Sequence, residues 1–475
     1  MILDARDENT DLNRAARFVI VGAGPAGMTL ARKLADVGPV LLIESGGFEV
    51  DAGIQALNEG ESVGIPYSLT ETRARGFGGT SSLWAGWCAV FDSLDFLPRD
   101  WVPGSGWPFG ADAIEPYYAE TARILNLGEP NFDARDITEK SGTSLPFDTD
   151  LIVPSVWRFG TPTMEFGRHL REEFASSAEV IALTHANVVD IRLDADHSRA
   201  RELVIRTLKG REGRVSGDVV VLACGGIETP RLLLNADTQV PHGLGNANDL
   251  VGRFFQEHPH QRVNSLILKD AAWFKSSLRR AIYDRDRQFM LAMGLSPDAQ
   301  AAAKVLNARA HVYRTPDMGD ETPRLGLFLE QAPNSESRVM LTERRDFVGM
   351  RRVRLDWQLM ELDWKTSETT GQLLVREFEK SDSGQACVPN RAPARDNKSV
   401  MHTSHHIGTT RMAENREAGV VDPNCRVHDL ENLYIAGSSV FPTGSWANPT
   451  FTLIALALRL ADHLQIECGP AKRSV

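Results

Sequence analysis

Cysteine is scarce in this sequence. The 475 residues include five cysteines, an odd number with no CxxC pair among them: Cys88, Cys224, Cys387, Cys425 and Cys468. A disulfide framework and a zinc ribbon are therefore excluded. A chain of this length buries roughly three quarters of its unfolded surface on folding, so it needs neither disulfides nor a metal to hold a core.

Positive charge is also in short supply. Lysine and arginine number 52 against 63 aspartates and glutamates, which gives a net charge of −11. Binding to nucleic acid and to anionic lipid surfaces depends on clustered basic side chains. We therefore expect neither nucleic acid nor a membrane as a partner.

Long apolar runs are missing as well. The longest, Phe451–Leu460, is interrupted by Arg459 and is shorter than the ~20 residues that cross a bilayer. The first residues are polar and acidic, without the basic and apolar regions of a signal peptide. These features predict a soluble, cytoplasmic protein.

The strongest positive signal is a glycine pattern near the N-terminus. The unbroken apolar run Phe18–Val21 is typical of a strand buried on both faces. Gly22, Gly24 and Gly27 follow it in GxGxxG spacing and lead into a helical pattern. Gly22 permits a tight turn, Gly24 lets a pyrophosphate approach the backbone, and Gly27 lets helix and strand pack closely. The helix N-terminus would then face the phosphates, which predicts dinucleotide binding.

Glu44 completes this unit. It ends a second apolar run, Val40–Ile43, twenty residues after Gly24. At that place a carboxylate accepts hydrogen bonds from a ribose diol, and an acidic residue there argues against the 2′-phosphate of NADP. The unit alone fits NAD and FAD equally well.

Two later segments repeat the strand–turn–helix pattern. The apolar run Val219–Ala223 leads through Gly225 and Gly226 to a predicted helix at Thr229–Asn235, with Pro230 in its first turn. Near the C-terminus, Asn432–Ala436 predicts a strand and Pro449–Leu464 an apolar helix. Nucleotide-type signatures therefore lie at both ends and in the middle of the chain.

The region from about residue 256 to 400 has a different pattern. It is richer in charge, and Ser337–Leu341 and Arg352–Trp357 alternate apolar and polar residues, which predicts an antiparallel sheet with covering helices. We expect an α/β protein in which a Rossmann-like dinucleotide-binding domain is interleaved with an α+β substrate domain. The predicted boundaries are 1–100, 180–255 and 405–475 for the first domain and 101–179 and 256–404 for the second.

Several segments beyond the glycine pattern carry a family resemblance. They are RGFGGTSSLW (Arg75–Trp84), LACGGIETPRLLL (Leu222–Leu234), DLVGRFFQEHP (Asp249–Pro259), HHIGTTRM (His405–Met412) and ENLYIAGSSVFPTGSWANPTFT (Glu431–Thr452). In order and spacing they resemble the glucose–methanol–choline (GMC) flavin oxidoreductases over nearly the whole chain. The ending is most similar to that of pyranose oxidases and bacterial sugar dehydrogenases.

The resemblance implies FAD as the cofactor and a GMC architecture. The residues it assigns to cofactor binding, together with those of the glycine unit, are Gly22, Gly24, Gly27, Glu44, Arg75, Gly79, Ser82, Val188, Gly437, Asn448 and Thr450. Fungal pyranose oxidases carry a flavin-linked histidine immediately before the tryptophan of the flavin-side loop. Leu83 stands at that position here, which implies that FAD is bound noncovalently.

The resemblance also implies the catalytic pair. Oxidation of a CH–OH group removes a proton from oxygen and a hydride from carbon, the hydride passing to flavin N5. A histidine is suited to accept the proton near neutral pH. The family pattern HxxGT implies that His405 is this base and that Asn448 hydrogen-bonds the same substrate oxygen. The helix that starts at Pro449 would stabilise the reduced flavin at its N1/O2 edge.

Some residue assignments stay open. His406 competes with His405 as the base, and Asn448 is also a favoured helix N-cap. His402, His405 and His406 lie close together but have no cysteine or carboxylate at metal-site spacing, so we expect no metal site. Gly60–Gly64 matches the GxSxG elbow of hydrolases, but Pro66 would break the helix that the elbow requires, and we reject that interpretation.

Three functions fit these observations. The first is FAD-dependent oxidation of a sugar, a glycoside or a non-sugar alcohol, with oxygen, a quinone or another molecule as the electron acceptor. The second is a GMC-type lyase that keeps FAD without redox chemistry, and the third is an NAD-dependent dehydrogenase. The histidine–asparagine pair favours the first. The exact substrate, the choice between oxidase and dehydrogenase and the assembly into a homo-oligomer are left open by the sequence.

Overall fold

In the computed structural model of the protein, the described residues form three β-sheets. The structure describes residues 1–142, 150–268, 281–283, 287–315, 320–380, 384–387, 395–397 and 400–469. Within these residues no helix is long and apolar enough to span a membrane. In the same part of the chain, no three histidine, cysteine, aspartate or glutamate side chains come together as a metal site.

The main sheet has eight strands. In spatial order seven of them are Ile2–Asp4, Val180–Thr184, Val40–Ile43, Arg14–Val21, Glu212–Leu222, Ala200–Arg206 and Asn187–Leu193, and the eighth, Leu433–Ile435, also pairs with Glu212–Leu222. Ala200–Arg206 pairs antiparallel with both of its neighbours, Glu212–Leu222 and Asn187–Leu193, and the other pairings are parallel. The apolar runs Phe18–Val21 and Val40–Ile43 are buried because sheet neighbours and helices cover both of their faces.

Two helices at opposite ends of the sequence cover this sheet together. Pro25–Leu34 begins with proline at its first position and packs against the long C-terminal helix Pro449–Cys468. The Arg17 guanidinium donates to the carbonyls of Val37 (2.6 Å) and Gly469 (2.9 Å), just beyond the ends of the two helices. A cation at this place satisfies carbonyls that no helical N–H reaches.

The helix after the strand Glu212–Leu222 differs from its prediction. It begins at Gly225 rather than Thr229 and ends at Asn235, so Pro230 lies inside it. Proline has no N–H to donate to the carbonyl four residues earlier, which belongs to Gly226. The Thr409 hydroxyl donates to that carbonyl at 2.6 Å and replaces the missing bond. A distant side chain therefore makes an interior proline acceptable.

Within the part of the chain that the structure describes, the second sheet contains seven antiparallel strands. Six of them, in spatial order, are Ala281–Tyr283, Arg287–Leu295, Ala308–Thr315, Asp320–Leu329, His260–Leu268 and Gly384–Cys387, and Ile152–Phe159 also pairs with Arg287–Leu295. The helix Glu361–Lys380 contacts this sheet, as does the shorter helix Pro297–Ala303. The expectation of an antiparallel sheet with covering helices is confirmed.

The third sheet was not foreseen. Its strands are Arg338–Arg345, Arg351–Trp357 and Gly60–Gly64, the last of which pairs in parallel with Val353–Trp357. The alternating segments near residues 337–357 therefore form a separate hairpin rather than part of the larger antiparallel sheet. The GxSxG match is an extended strand, not a strand-to-helix elbow, in agreement with its rejection.

Short helices fill the connections. The α-helices are Ala52–Gln55, Ser93–Phe96, Tyr118–Ile124, Ala134–Ser141, Phe166–His169 and Arg171–Ser176, and the 3₁₀ turns are Ala56–Asn58, Gly79–Ser82, Ala111–Ala113, Glu115–Tyr117 and Ser438–Val440. The turn at Gly79–Ser82 brings the loop that follows Arg75 against the N-terminus of the helix Pro25–Leu34.

Candidate active site

A cavity of about 590 Å³ joins the nucleotide-type motifs to the predicted catalytic pair. Its size lies within the range of small-molecule and cofactor sites. Nine of the candidate residues line it: Gly22, Gly24, Glu44, Arg75, Gly79, Val188, Gly437, Asn448 and Thr450. His405 and His406 line it as well.

At each glycine of the GxGxxG turn, an added Cβ would have a different steric consequence. Gly22 has φ of +104°, and a Cβ there would lie 2.5 Å from the carbonyl oxygen of Ala223. A Cβ on Gly27 would lie 1.9 Å from the carbonyl oxygen of Gly22, so Gly27 serves helix packing and does not line the cavity. A Cβ on Gly24 would meet no protein atom within 4 Å and would stand at the cavity wall.

Glu44 is held rigidly beside this turn. Its carboxylate accepts hydrogen bonds from the backbone N–H groups of Ala23 (2.8 Å) and Gly46 (3.0 Å). Burial raises the pKa of Glu44, and these two donors act against that rise. Its oxygens retain lone pairs for further donors, as a ribose diol requires.

The loop Arg75–Trp84 forms the opposite wall. The Arg75 side chain donates to Asn58 (2.7 Å) and pairs with the partly buried Glu228 at 2.7 Å. A Cβ on Gly79 would approach the Cα of Gly24 to 3.0 Å, so the two backbones are close. Ser82 is turned away, with its hydroxyl donating to the carbonyl of Gly79 at 3.1 Å. Ser81 lines the cavity in its place.

These features fit an adenine dinucleotide. A glycine turn with open space before it, a helix N-terminus and a fixed ribose-type acceptor occur together in one elongated cavity. Val188, Gly437 and Thr450 add backbone and small side chains to the lining, which leaves room for a large planar group.

His405 and Asn448 meet at the end of the cavity. The Asn448 side-chain nitrogen lies 3.2 Å from His405 Nε2, and both side chains are partly exposed to the cavity. The indole N–H of Trp157 donates to Asn448 Oδ1 at 2.9 Å, which fixes the orientation of the amide. Although Asn448 precedes the helix, its side chain makes no capping hydrogen bond. The geometry therefore does not support the alternative that Asn448 serves only as a helix N-cap.

The hydrogen bonds around His405 also fix its tautomer. His258 Nε2 lies 2.9 Å from the carbonyl of Gly444, which only accepts, so His258 carries its proton on Nε2. The Nδ1 of His258 must then accept from His405 Nδ1, 2.8 Å away. Because Asn448 presents its NH₂ group to His405 Nε2, that nitrogen is the unprotonated one. Its lone pair accepts from the Asn448 amide at the wall of the cavity.

Burial keeps His405 neutral. Desolvation lowers its pKa well below the ordinary histidine value, and His258 and His406 add to the shift. The other candidate, His406, packs its ring against Tyr67 and Phe255, and burial lowers its pKa to about 3. In the part of the chain that the structure describes, Asn448 hydrogen-bonds to His405 and not to His406.

Sequence reasoning missed the residues behind His405. Glu257 is fully buried and accepts from the backbone N–H of His405 at 2.9 Å and from the Thr403 hydroxyl at 2.9 Å. That same hydroxyl lies 2.9 Å from His405 Nδ1. No role was predicted from the sequence for His258, which contacts the candidate base directly. Its signal was the QEHP ending of a segment that resembles the family.

The loops that carry His405 and Asn448 each contain a non-glycine residue with a left-handed backbone. Ser404, next to His405, has φ of +65°, and Ser445, three residues before Asn448, has φ of +56°. The left-handed region costs a non-glycine residue roughly 1–2 kcal/mol. Ser445 is held there by its hydroxyl, which donates to the buried Asp95 at 2.5 Å. Strain of this kind tends to be retained at functional sites.

Aromatic rings surround the reacting end. Trp87 and Phe328 line the cavity, and Trp157 packs edge-on against Trp87 with ring centroids 5.0 Å apart. The cavity-lining segments 83–87, 403–406 and 448–450 carry no charged side chain, since His405 and His406 are neutral. This end of the cavity suits an uncharged molecule.

Comparison with known proteins gives matches along the chain. Residues 333–457 match the family model described as GMC oxidoreductase. The chain is 23% identical to 2-methyl-1,2-propanediol dehydrogenase of Mycolicibacterium austroafricanum over 94% of each sequence. It is 24% identical to paromamine 6'-oxidase of Streptomyces fradiae, over 96% of this chain and 92% of that protein. The fructose dehydrogenase large subunit of Gluconobacter japonicus is 27% identical over 82% of this chain and 80% of its own.

Solved structures agree on the fold. Formate oxidase of Aspergillus oryzae RIB40 superimposes with a TM-score of 0.66 over 96% of this chain and 99% of its own, at 17% identity. Pyridoxine 4-oxidase of Mesorbium loti gives a TM-score of 0.61 over 94% of this chain and 99% of its own, also at 17% identity. At such identity the likeness concerns architecture, and it confirms the fold class predicted from the sequence.

Proposed function

We propose that this chain is a GMC oxidoreductase and that it oxidises a CH–OH group of a neutral sugar-like alcohol to the carbonyl, with His405 as the base. The observation that carries the proposal is the unprotonated His405 Nε2, which lies at the cavity wall 3.2 Å from the Asn448 amide nitrogen. A substrate hydroxyl that inserts between the two side chains takes over this hydrogen bond at both ends. A base and a hydrogen-bond donor at one point are what removal of a hydroxyl proton requires.

FAD is the cofactor that the site fits. We assign its binding to the lining residues Gly22, Gly24, Glu44, Arg75, Gly79, Val188, Gly437, Asn448 and Thr450, with Gly27 acting through helix packing and Ser81 in place of Ser82. Bound FAD supplies the acceptor for the hydride that leaves the carbinol carbon. Leu83 lines the cavity without a group able to form a flavin link, which supports noncovalent binding.

The protein's own part of the reaction is the movement of one proton. The Asn448 NH₂ group donates to the substrate oxygen and places its hydroxyl hydrogen against His405 Nε2. The O–H bond breaks as the N–H bond forms, and His405 becomes an imidazolium. Its Nδ1–H keeps its bonds to His258 and Thr403 throughout, so the ring does not turn. Holding the hydroxyl in this way orients the carbinol C–H and lowers the entropic part of the barrier.

The substrate class follows from the cavity and from the relatives. The reacting end is aromatic and uncharged, which suits the apolar faces and hydroxyl groups of a sugar or a related alcohol. Two relatives are named for a propanediol and for fructose, and both compounds carry hydroxyl groups. We propose a neutral polyol or sugar as substrate, with oxygen, a quinone or another diffusible molecule as the electron acceptor.

We retain the interleaved domain boundaries as part of this proposal. The strands of the main sheet come from residues 2–4, 14–43, 180–222 and 433–435, and those of the second sheet from 152–159 and 260–387. This distribution supports a discontinuous cofactor domain, and limited proteolysis should cut between the sheets first.

The testing experiment is anaerobic. The purified protein is mixed with a panel of sugars, glycosides and primary alcohols under nitrogen, and the flavin absorbance is followed. Bleaching by at least one hydroxylated compound, followed by recovery on addition of oxygen or a quinone, is the expected result. A flavin that no compound bleaches, although dithionite reduces it, would contradict the proposal and favour the redox-silent lyase.

Acid precipitation tests the mode of flavin binding. Noncovalent FAD should leave the yellow colour in the supernatant. Colour retained in the pellet would contradict this part of the proposal.

A further inference from the structure

Glu257 is a buried carboxylate whose neighbours all donate to it. Oε1 accepts from the Tyr67 hydroxyl (2.8 Å) and from the backbone N–H of His405 (2.9 Å). Oε2 accepts from the backbone N–H of His258 (2.9 Å) and from both the N–H and the hydroxyl of Thr403, at 3.2 and 2.9 Å. Three of these five donors are main-chain groups and cannot reverse. Such a set stabilises the ionised carboxylate.

Thr403 connects this charge to the base. Its single hydroxyl hydrogen points to two groups that only accept, the nearer Glu257 Oε2 (2.9 Å) and the carbonyl of His258 (3.2 Å), so its oxygen is left to accept. The partner on that side is His405 Nδ1, 2.9 Å away. The proton of His405 is therefore drawn to Nδ1 by two acceptors, Thr403 Oγ1 and His258 Nδ1, and Nε2 stays unprotonated.

We propose that Glu257 is the positioning residue and buried counter-charge of the general base, acting on His405 through Thr403 and His258. The proposal rests on the proposed function and adds a residue to it. In the resting protein Glu257 selects the tautomer in which Nε2 is unprotonated. When His405 takes the substrate's proton, the Glu257 carboxylate stabilises the imidazolium through the Thr403 hydroxyl. No covalent bond to Glu257 forms or breaks.

The need for such a counter-charge follows from burial. Desolvation lowers the pKa of His405, which keeps it neutral but also makes it a weaker base. Burial raises the pKa of Glu257 to about 7, although the hydrogen bonds from its donors act to lower it. Above that pH Glu257 carries a charge. The other titratable or charged groups that face this cluster from the elements packed against it are Tyr67, Arg73, His402, His406 and Glu330.

Two substitutions test the proposal independently. Glu257→Gln removes the charge and places an NH₂ group among donors. Thr403→Val removes the connecting hydroxyl and keeps the shape, while Thr403→Ser restores the hydroxyl. At pH 8.5 we expect Glu257→Gln and Thr403→Val to slow anaerobic flavin reduction by roughly tenfold to a hundredfold, and Thr403→Ser to recover most of the rate.

The matched control is Asp363→Asn. Asp363 is also fully buried, burial raises its pKa to about 7, and it accepts from the backbone N–H groups of Ala332 and Met360. It does not contact His405, so its substitution costs stability without acting on the base. We expect Asp363→Asn to leave the pH profile of flavin reduction unchanged, whereas Glu257→Gln should remove the rise in rate near pH 7.

A second readout does not depend on turnover. Imidazole ¹⁵N chemical shifts distinguish protonated from unprotonated ring nitrogens, and His405→Gln identifies the His405 signals. We expect the Nδ1–H tautomer in the wild type and a loss of that preference in Thr403→Val and Glu257→Gln. Unchanged shifts with an unchanged rate would overturn the proposal. Variants that are slower by the same factor at every pH, with unchanged ¹⁵N shifts, would also overturn the proposal. That result is expected when the substituted residue has only a structural role.

The two proposals fail in different ways. A wild-type flavin that no alcohol bleaches contradicts the proposed function, and the ¹⁵N experiment still tests the Glu257 assignment. If Glu257→Gln does not fold, the Thr403 pair carries the test alone.

Discussion

The Nδ1 atoms of His405 and His258 lie 2.8 Å apart, a distance at which one nitrogen donates and the other accepts. Because His258 is committed to the carbonyl of Gly444 through Nε2, the donor is His405. The ring that faces the cavity therefore presents a lone pair and not a proton. One contact between two histidines 147 residues apart in sequence thus defines the chemical character of the site.

Trp157 should matter through the Asn448 amide alone. Trp157→Phe removes the N–H that holds Asn448 Oδ1, so the amide is free to turn its oxygen toward His405 Nε2. We expect flavin reduction to become roughly tenfold slower, the value of about one hydrogen bond. Trp101→Phe is the control, because its indole N–H donates to the carbonyl of Val305 outside the site. Equal rates in both variants would contradict the assignment.

Asn448 offers a test with a predicted pH dependence. Asn448→Ala should slow flavin reduction by a smaller factor than His405→Ala, since a donor is lost and the base is kept. Asn448→Asp places a carboxylate beside His405 Nε2 and raises the pKa of His405. Its rate at pH 7 should therefore fall below that of Asn448→Ala and recover as the pH rises. A pH-independent rate in Asn448→Asp would be inconsistent with the contact.

Wild-type flavin reduction should not lose rate through protonation of His405 at the ordinary histidine pKa. Burial lowers the pKa of His405, so the base stays neutral as the pH falls through about 6.5. Any loss of rate near pH 7 then belongs to Glu257, whose pKa burial raises to about 7. Stopped-flow reduction between pH 5 and 9 measures this, with Glu257→Gln as the comparison. A limb at 6.5 that persists in Glu257→Gln would contradict the assignment of the low pKa to His405.

The glycine pair Gly24 and Gly27 separates cofactor binding from folding. A Cβ on Gly24 meets no protein atom, so Gly24→Ala should leave the melting temperature of the FAD-free protein unchanged and weaken FAD binding. A Cβ on Gly27 would collide with the carbonyl of Gly22, so Gly27→Ala should destabilise the fold by about 1–3 kcal/mol. Calorimetry and FAD fluorescence titration measure the two effects. A loss of stability in FAD-free Gly24→Ala would refute this division of roles.

Thr409 should support the helix that contains Pro230. Thr409→Val leaves the buried carbonyl of Gly226 without a donor, at a cost of about 1–3 kcal/mol in the free energy of unfolding. Thr409→Ser keeps the hydroxyl and should lose much less. Chemical denaturation of both variants measures the difference. Equal stability of the two would mean that the hydroxyl is not the missing partner.

The parts of the fold that depend on local patterns could be predicted from the sequence. Phe18–Val21, Val40–Ile43 and the three glycines appear as predicted, because burial on both faces and turn sterics are written in adjacent residues. The predicted helix start at Thr229 was wrong, and the helix begins at Gly225, because the hydrogen bond that makes Pro230 acceptable inside it comes from Thr409, far away in sequence. Local rules for proline contain no information about such a donor.

The site was predictable in its centre and not in its surroundings. His405 and Asn448 could be found from the family-like motifs, and they meet in the structure. Trp157 and Glu257 could not, since each approaches the pair only through folding of a distant segment. The third sheet was missed for the same reason, because Gly60–Gly64 pairs with a strand nearly 300 residues later.

Anaerobic stopped-flow reduction of the bound flavin by the best substrate, in the wild type, His405→Ala and His406→Ala, tests the central claim most directly. The account predicts that His405→Ala retains FAD but loses nearly all reduction, while His406→Ala, whose ring does not contact Asn448, remains much faster. Bleaching by His405→Ala at the wild-type rate, or loss of reduction in His406→Ala alone, would contradict it.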